Sequence, residues 1–145
     1  FKNKNNEVAK LLIEKGADVN FIEKNSINEW IAPVLHDAIM ATVVQILFYC
    51  EQPKSLESIA LLQKMIDLGA DPNACDSYGN SALCRALLDT HQVIKNPKYD
   101  PKMDKQLHQV FHILLEAGAD KTAQRQNGTP VEKSNRCSLE RFLHQ

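Results

Sequence analysis

LLIEKGADVN (residues 11–20), KMIDLGADPN (64–73) and ILLEAGADKT (113–122) align without gaps, and their glycines are Gly16, Gly69 and Gly118. Eight, seven, four and three positions before each glycine stand Val8, Ala9, Leu12 and Ile13; Leu61, Leu62, Met65 and Ile66; Val110, Phe111, Leu114 and Leu115. All are apolar, at the spacing of one helix face. A glycine just past such a face accepts the left-handed backbone that closes a helix without a Cβ clash. Asp18, Asp71 and Asp120 follow two residues later, where a short carboxylate bonds turn backbone, and Pro72 bars helical continuation. Candidate N-caps are Asn6 for the first helix, Ser55 or Ser58 for the second and Asp104 for the third. The chain therefore holds three helix–stop–turn units.

A second block follows each stop. It reads Pro33-Val34-Leu35-His36-Asp37-Ala38, then Ser81-Ala82-Leu83-Cys84-Arg85-Ala86, then Thr129-Pro130-Val131-Glu132-Lys133-Ser134. Together the two blocks resemble the ankyrin-repeat pattern, D-x-x-G-x-T-P-L-H-x-A followed by a helix, a turn, a helix and L-L-x-x-G-A-D-x-N. Thr129-Pro130 keeps the T-P pair, Leu35-His36-Asp37-Ala38 keeps L-H-x-A, and Asp76 to Ser81 fits D-x-x-G-x-T with Ser for Thr. The resemblance implies an all-α solenoid of helix-turn-helix units with short hairpin turns, acting as a non-enzymatic scaffold that binds another protein. It also implies a structural role for His36, joining the turns of neighbouring repeats.

The repeats are long. An ordinary ankyrin repeat has about 33 residues, whereas Gly16 to Gly69 is 53 positions and Gly69 to Gly118 is 49. Most of the excess falls between the first and second helix of each unit. First helices extend through AIMATVVQILFYC (38–50) and RALLDTHQVI (85–94), and proline-lysine linkers follow, EQPKS (51–55) and KNPKYDPKMD (95–104). The expectation is elongated helix pairs joined by protruding loops. Residues 1–145 then form a single ankyrin-repeat domain: a partial repeat at 1–20 that lacks a first helix, repeats at about 21–73 and 74–122, and a C-terminal capping repeat at about 123–145.

Composition agrees and excludes. With 43% hydrophobic and 24% charged residues the chain is that of a folded domain, and five glycines in 145 are few for a sheet protein. Seventeen basic against 18 acidic residues supply no overall attraction for nucleic acid or anionic membrane. The longest apolar run, 38–50, is too short to span a bilayer. Cys50, Cys75, Cys84 and Cys137 form no C-x-x-C pair and read as reduced thiols, which sets the expected location as cytoplasmic, or the host-cell cytosol if the source is an intracellular bacterium. A monomer is expected.

Chemical motifs are sparse. His108 and His112 stand at i, i+4, but Gln109 replaces the Glu that a zinc hydrolase helix needs, so no metal site is assigned. Glycine-rich phosphate loops do not occur, and no catalytic residue or cofactor is expected. Lys95, Lys98, Lys102 and Lys105 with Tyr99 read as a solvated mixed-charge loop. The candidate partner-binding residues are Trp30, Tyr78 and Arg125, one on each inter-repeat finger; Trp30 can serve as an anchor or close its enlarged loop. Two other readings are a regulatory or targeting segment of a larger enzyme and a His108/His112 metal site.

Overall fold

The computed structural model describes residues 1, 5–23, 30–121 and 142. Five α-helices account for most of them: α1 (Asn6–Glu14), α2 (Val34–Tyr49), α3 (Pro53–Asp67), α4 (Ala82–Ile94) and α5 (Asp104–Glu116), the last entered through a 3-10 turn, Pro101–Met103. Among the described residues there is no strand, only an antiparallel bridge between Ile22 and Pro33. Helix α3 packs against α2, α1 and α5, and α4 against α2 and α5. The second helices of the three units thus share one row, α1–α3–α5, and the first helices share another, α2–α4.

Each second helix ends as its glycine requires. Gly16, Gly69 and Gly118 have φ of 89°, 95° and 91°. The glycine N–H bonds back to Ile13, Ile66 or Leu115, and the following alanine N–H to Leu12, Met65 or Leu114, all at 2.9–3.1 Å. This is the paired 5→2 and 6→1 closure of a Schellman motif, repeated three times. Asp18 and Asp71 then accept from the N–H of Asn20 and Asn73.

Those asparagines join the units. Asn20 donates to the Gly69 carbonyl at 3.0 Å and accepts from the Asp71 N–H at 2.8 Å. Asn73 does the same one unit on, to Gly118 at 3.1 Å and from Asp120 at 3.0 Å.

Helix starts differ from expectation. Asn5, not Asn6, caps α1, accepting from the Val8 N–H. Helix α3 opens at Pro53, which sits at its first position where no N–H is needed; Ser55 and Ser58 lie inside the helix and are buried. Asp104 is already helical, and Asp100 caps the preceding turn by accepting from Lys102. The first inter-helix connection is also shorter than expected: Cys50–Gln52 is a tight turn that reverses at Glu51, with φ 64°.

A buried polar clamp holds this turn from both sides. Gln45 accepts from Ser58 at 2.8 Å and exchanges two hydrogen bonds with Asn6, which also donates to the Lys54 carbonyl. On the other side Gln106 accepts from the Glu51 N–H and from the Ser55 hydroxyl. The Glu51 N–H and the buried Ser55 and Ser58 hydroxyls thus each have a partner.

Candidate protein-binding face

The first finger runs Phe21–Glu23 and Trp30–Pro33 side by side, tied by the Val34 N–H to the Phe21 carbonyl at 2.9 Å. The second is a turn folded around Asp76, whose Oδ1 accepts from the N–H of Tyr78 and of Asn80, both at 2.9 Å. Gly79, φ 79°, supplies the left-handed step that lets the chain return, leaving Tyr78 47% exposed at the tip.

The two fingers are knit together. Ile31 N–H donates to the Ser77 hydroxyl at 3.0 Å, and Ser77 N–H donates to the Ile31 carbonyl at 2.8 Å. The Trp30 indole N–H donates to Asp76 Oδ2 at 2.9 Å. The guanidinium of Arg85 lies over the Trp30 ring at 5.9 Å and is held by Asp89 through bonds of 3.1 and 2.6 Å. Trp30 is therefore partly buried, with one edge bonded and one face covered, and it braces one finger against the next.

Electrostatics follow from this packing. Burial pushes the Asp76 carboxyl up, but hydrogen bonds from Trp30, Asn80 and Tyr78 outweigh it and hold the group below its ordinary range. Burial pushes Asp89 up, with Arg85 opposing. Burial also pushes His36 down, favouring the uncharged ring, against the hydrogen bond to Ala74. Its Nε2 lies 3.1 Å from the Ala74 carbonyl, which can only accept, so the proton sits on Nε2. This bond crosses from α2 to the turn of the next unit, the role the repeat resemblance implies. Pro33, standing where Ser81 stands one unit on, offers no hydroxyl to Nδ1.

Beside Trp30 opens a groove of about 440 Å³, lined on one side by Val8 and Leu12 of α1 and on the other by Phe21, Trp30, Ile31 and Val34. Val8 and Leu12 are 50% and 55% exposed. Their counterparts Leu61 and Met65 in α3, and Val110 and Leu114 in α5, are at most 5% exposed.

Of the three sequence-predicted binding residues, Trp30 and Tyr78 fall on adjoining fingers, Trp30 bonded to Asp76 and Tyr78 next to Ser77 in the same turn. Arg125 lies outside the described residues, as do Cys137 and all but Phe142 of the expected cap. The bracing roles of Asp76, Arg85 and Asp89 were missed; the signals available were the D-x-x-G turn for Asp76 and the i, i+4 spacing for Arg85 and Asp89. Cys50, Cys75 and Cys84 are free thiols, and burial pushes those of Cys50 and Cys75 up. His108 packs on Phe142 with ring centroids 4.6 Å apart, while His112 is exposed. Among the described residues no three His, Cys, Asp or Glu side chains cluster as metal ligands would. Tyr99 turns its hydroxyl onto Asp104 at 2.7 Å rather than presenting its ring to solvent as a stacking platform. No described helix is long and apolar enough to cross a membrane.

Two curated proteins match over most of the chain. Human ankyrin repeat and SOCS box protein 6 is 31% identical over 127 residues, 86% of this chain, and its orangutan (Pongo abelii) counterpart is 30% identical over the same length. The chain resembles ankyrin-repeat proteins. It spans about a quarter of the length of these relatives, 23% of each. No family model matches the chain, and no solved structure matches it. An ankyrin-type match over a chain whose described elements are all helices points to a protein-interaction module.

Proposed function

We propose that the chain is a non-enzymatic ankyrin-type solenoid that binds another protein through its finger side. Trp30, Tyr78 and Arg125 are the contact residues, and neither cofactor nor nucleic acid takes part. The observation that supports this best is the knitting of the first two fingers by Trp30, Ile31, Asp76 and Ser77. Loops fixed before contact lose little conformational entropy on binding, so an exposed tyrosine there contributes more of its contact energy. The units are residues 21–73 and 74–122, with a half-unit at 1–20 and a cap at 123–145. Val8 and Leu12 stand exposed in the groove between α1 and the first finger, at the register where Leu61 and Met65 are buried. Reduced thiols fit a cytoplasmic setting, and the chain acts as a monomer.

The test compares captured proteins by quantitative pull-down from a lysate of the source organism. Tyr78→Ala is expected to weaken capture about ten-fold with an unchanged melting curve, because the side chain is exposed. Trp30→Ala is expected to weaken capture and also to lower stability by about 1–2 kcal/mol, through loss of the Asp76 bond and the Arg85 stack. Undiminished capture by both variants would remove the finger side from consideration. A second reading is a regulatory or targeting segment of a larger enzyme; the matched relatives extend well past the region they share with this chain, and activity that maps to the same polypeptide outside these residues would establish it.

A further inference from the structure

The elongation that sets these repeats apart ends in a second exposed surface, far along α2 from the fingers. Phe48 and Tyr49, in the last turn of α2, are 50% and 37% exposed. With Val44, Gln45 and Lys54 they line a shallow cleft of about 310 Å³. Two ammonium groups are held on the ring faces: Lys54, from the first turn of α3, 4.5 Å from the Tyr49 centroid, and Lys98, from the α4–α5 connection, 4.9 Å from that of Phe48. Neither lysine forms an ion pair with a described residue.

The backbone beneath is not free to rearrange. The Glu51 turn is clamped by Gln106 on one side and by Gln45, Ser58 and Asn6 on the other. Aromatic rings at a fixed helix end, each topped by a cation without a carboxylate partner, present an apolar floor between two positive charges. The complement is a segment carrying carboxylates on both sides of an apolar side chain.

We propose that the α2 end, at Val44, Phe48, Tyr49, Lys54 and Lys98, docks an acidic peptide segment whose apolar side chain enters the cleft while flanking carboxylates meet the two lysines. This surface is separate from the finger face. A nucleic acid fits less well, because the ammonium groups occupy ring faces on which bases would stack.

Fluorescence anisotropy against synthetic peptides tests the idea. The probes carry one Leu or Phe flanked on both sides by Asp or Glu, with Lys-flanked versions as the opposite-charge set. Wild-type protein is expected to bind the acidic set at least about ten-fold more tightly than the basic set. The double variant Lys54→Glu, Lys98→Glu is expected to reverse that order, and Phe48→Ser to weaken the acidic set alone; all three side chains are exposed, so the folded state persists. Equal binding of both sets, or a preference unchanged by the charge reversal, overturns the proposal. So does tighter binding of an oligothymidylate or of phosphatidylserine vesicles that the same reversal abolishes. Tyr78→Ala leaves the expected result untouched, which keeps this outcome distinct from that of the finger face.

Discussion

The two ends of the helices are held together by different means. At the finger end the bonds repeat: Asn20 meets Gly69 and Asp71, and Asn73 meets Gly118 and Asp120, in the same geometry one unit apart. At the opposite end the bonds are singular. Gln45, Ser58 and Asn6 form one cluster and Gln106, Ser55 and the Glu51 N–H another, with no residue type recurring at the same register. A repeated end spreads stability evenly along the stack, whereas a singular end concentrates it at one hairpin.

The largest effect is expected at the singular end. Gln45→Ala removes three hydrogen bonds and the packing of a buried side chain, leaving Ser58 and Asn6 to each other and the Lys54 carbonyl, and should cost about 2–4 kcal/mol in urea unfolding. Gln45→Leu with Ser58→Ala should recover part of that loss, because only Asn6, which water reaches in part, is then left short of partners. Failure to recover would mean that the cluster acts through packing rather than hydrogen bonding.

Asn20→Ala and Asn73→Ala should each cost about 1–2 kcal/mol, and by nearly equal amounts if the finger end is truly periodic. Unequal losses in paired denaturation curves would break the contrast between the two ends.

Much of this was legible in advance. The three glycines and the apolar face are local features with fixed spacing, and ten of the twelve apolar positions are buried or partly buried. Val8 and Leu12 are the exceptions, since register predicts which side a residue takes but not whether a neighbour covers it. The clamp was illegible because its partners lie 13 to 55 positions apart, on different elements, where no periodicity constrains them. Two adjacent asparagines show the limit well. Asn5 caps α1 while Asn6 enters the clamp, and residue type alone does not assign the roles. At the candidate site, exposed Tyr78 was readable from its turn, D-x-x-G. The Arg85 stack on Trp30 joins two units and was not.

Acid separates the ends further, because His36 and Asp76 both belong to the finger side. Burial holds the folded His36 below its ordinary value of 6.5, so as pH falls through 6.5 the unfolded chain takes up a proton that the native ring refuses. Stability should therefore be full above that pH and decline below it. Asp76 adds a second loss: its folded carboxyl sits below the ordinary 3.8, so its contribution is present above 3.8 and disappears as pH drops through the folded value. Asp89, pushed up by burial, works in the opposite sense. Melting of His36→Asn between pH 7 and pH 5 should be flatter than that of the wild type; an identical slope would mean His36 titrates normally.

The smallest effect is a gain. Glu51 adopts a left-handed backbone that glycine reaches without strain, so Glu51→Gly should stabilise by about 0.5–1 kcal/mol, visible as a small rise in melting temperature.

The asparagine bridges have a consequence for mapping damage. The amide of Asn20 saturates groups belonging to residues 69 and 71, so a lesion at Asn20 surfaces one unit downstream, as faster hydrogen exchange at the Asp71 amide rather than in its own turn. A lesion at Asn73 surfaces at Asp120. Sequence position and site of injury are offset by one period, and a scan of variants along this chain has to be shifted by that period before it can be laid over the fold.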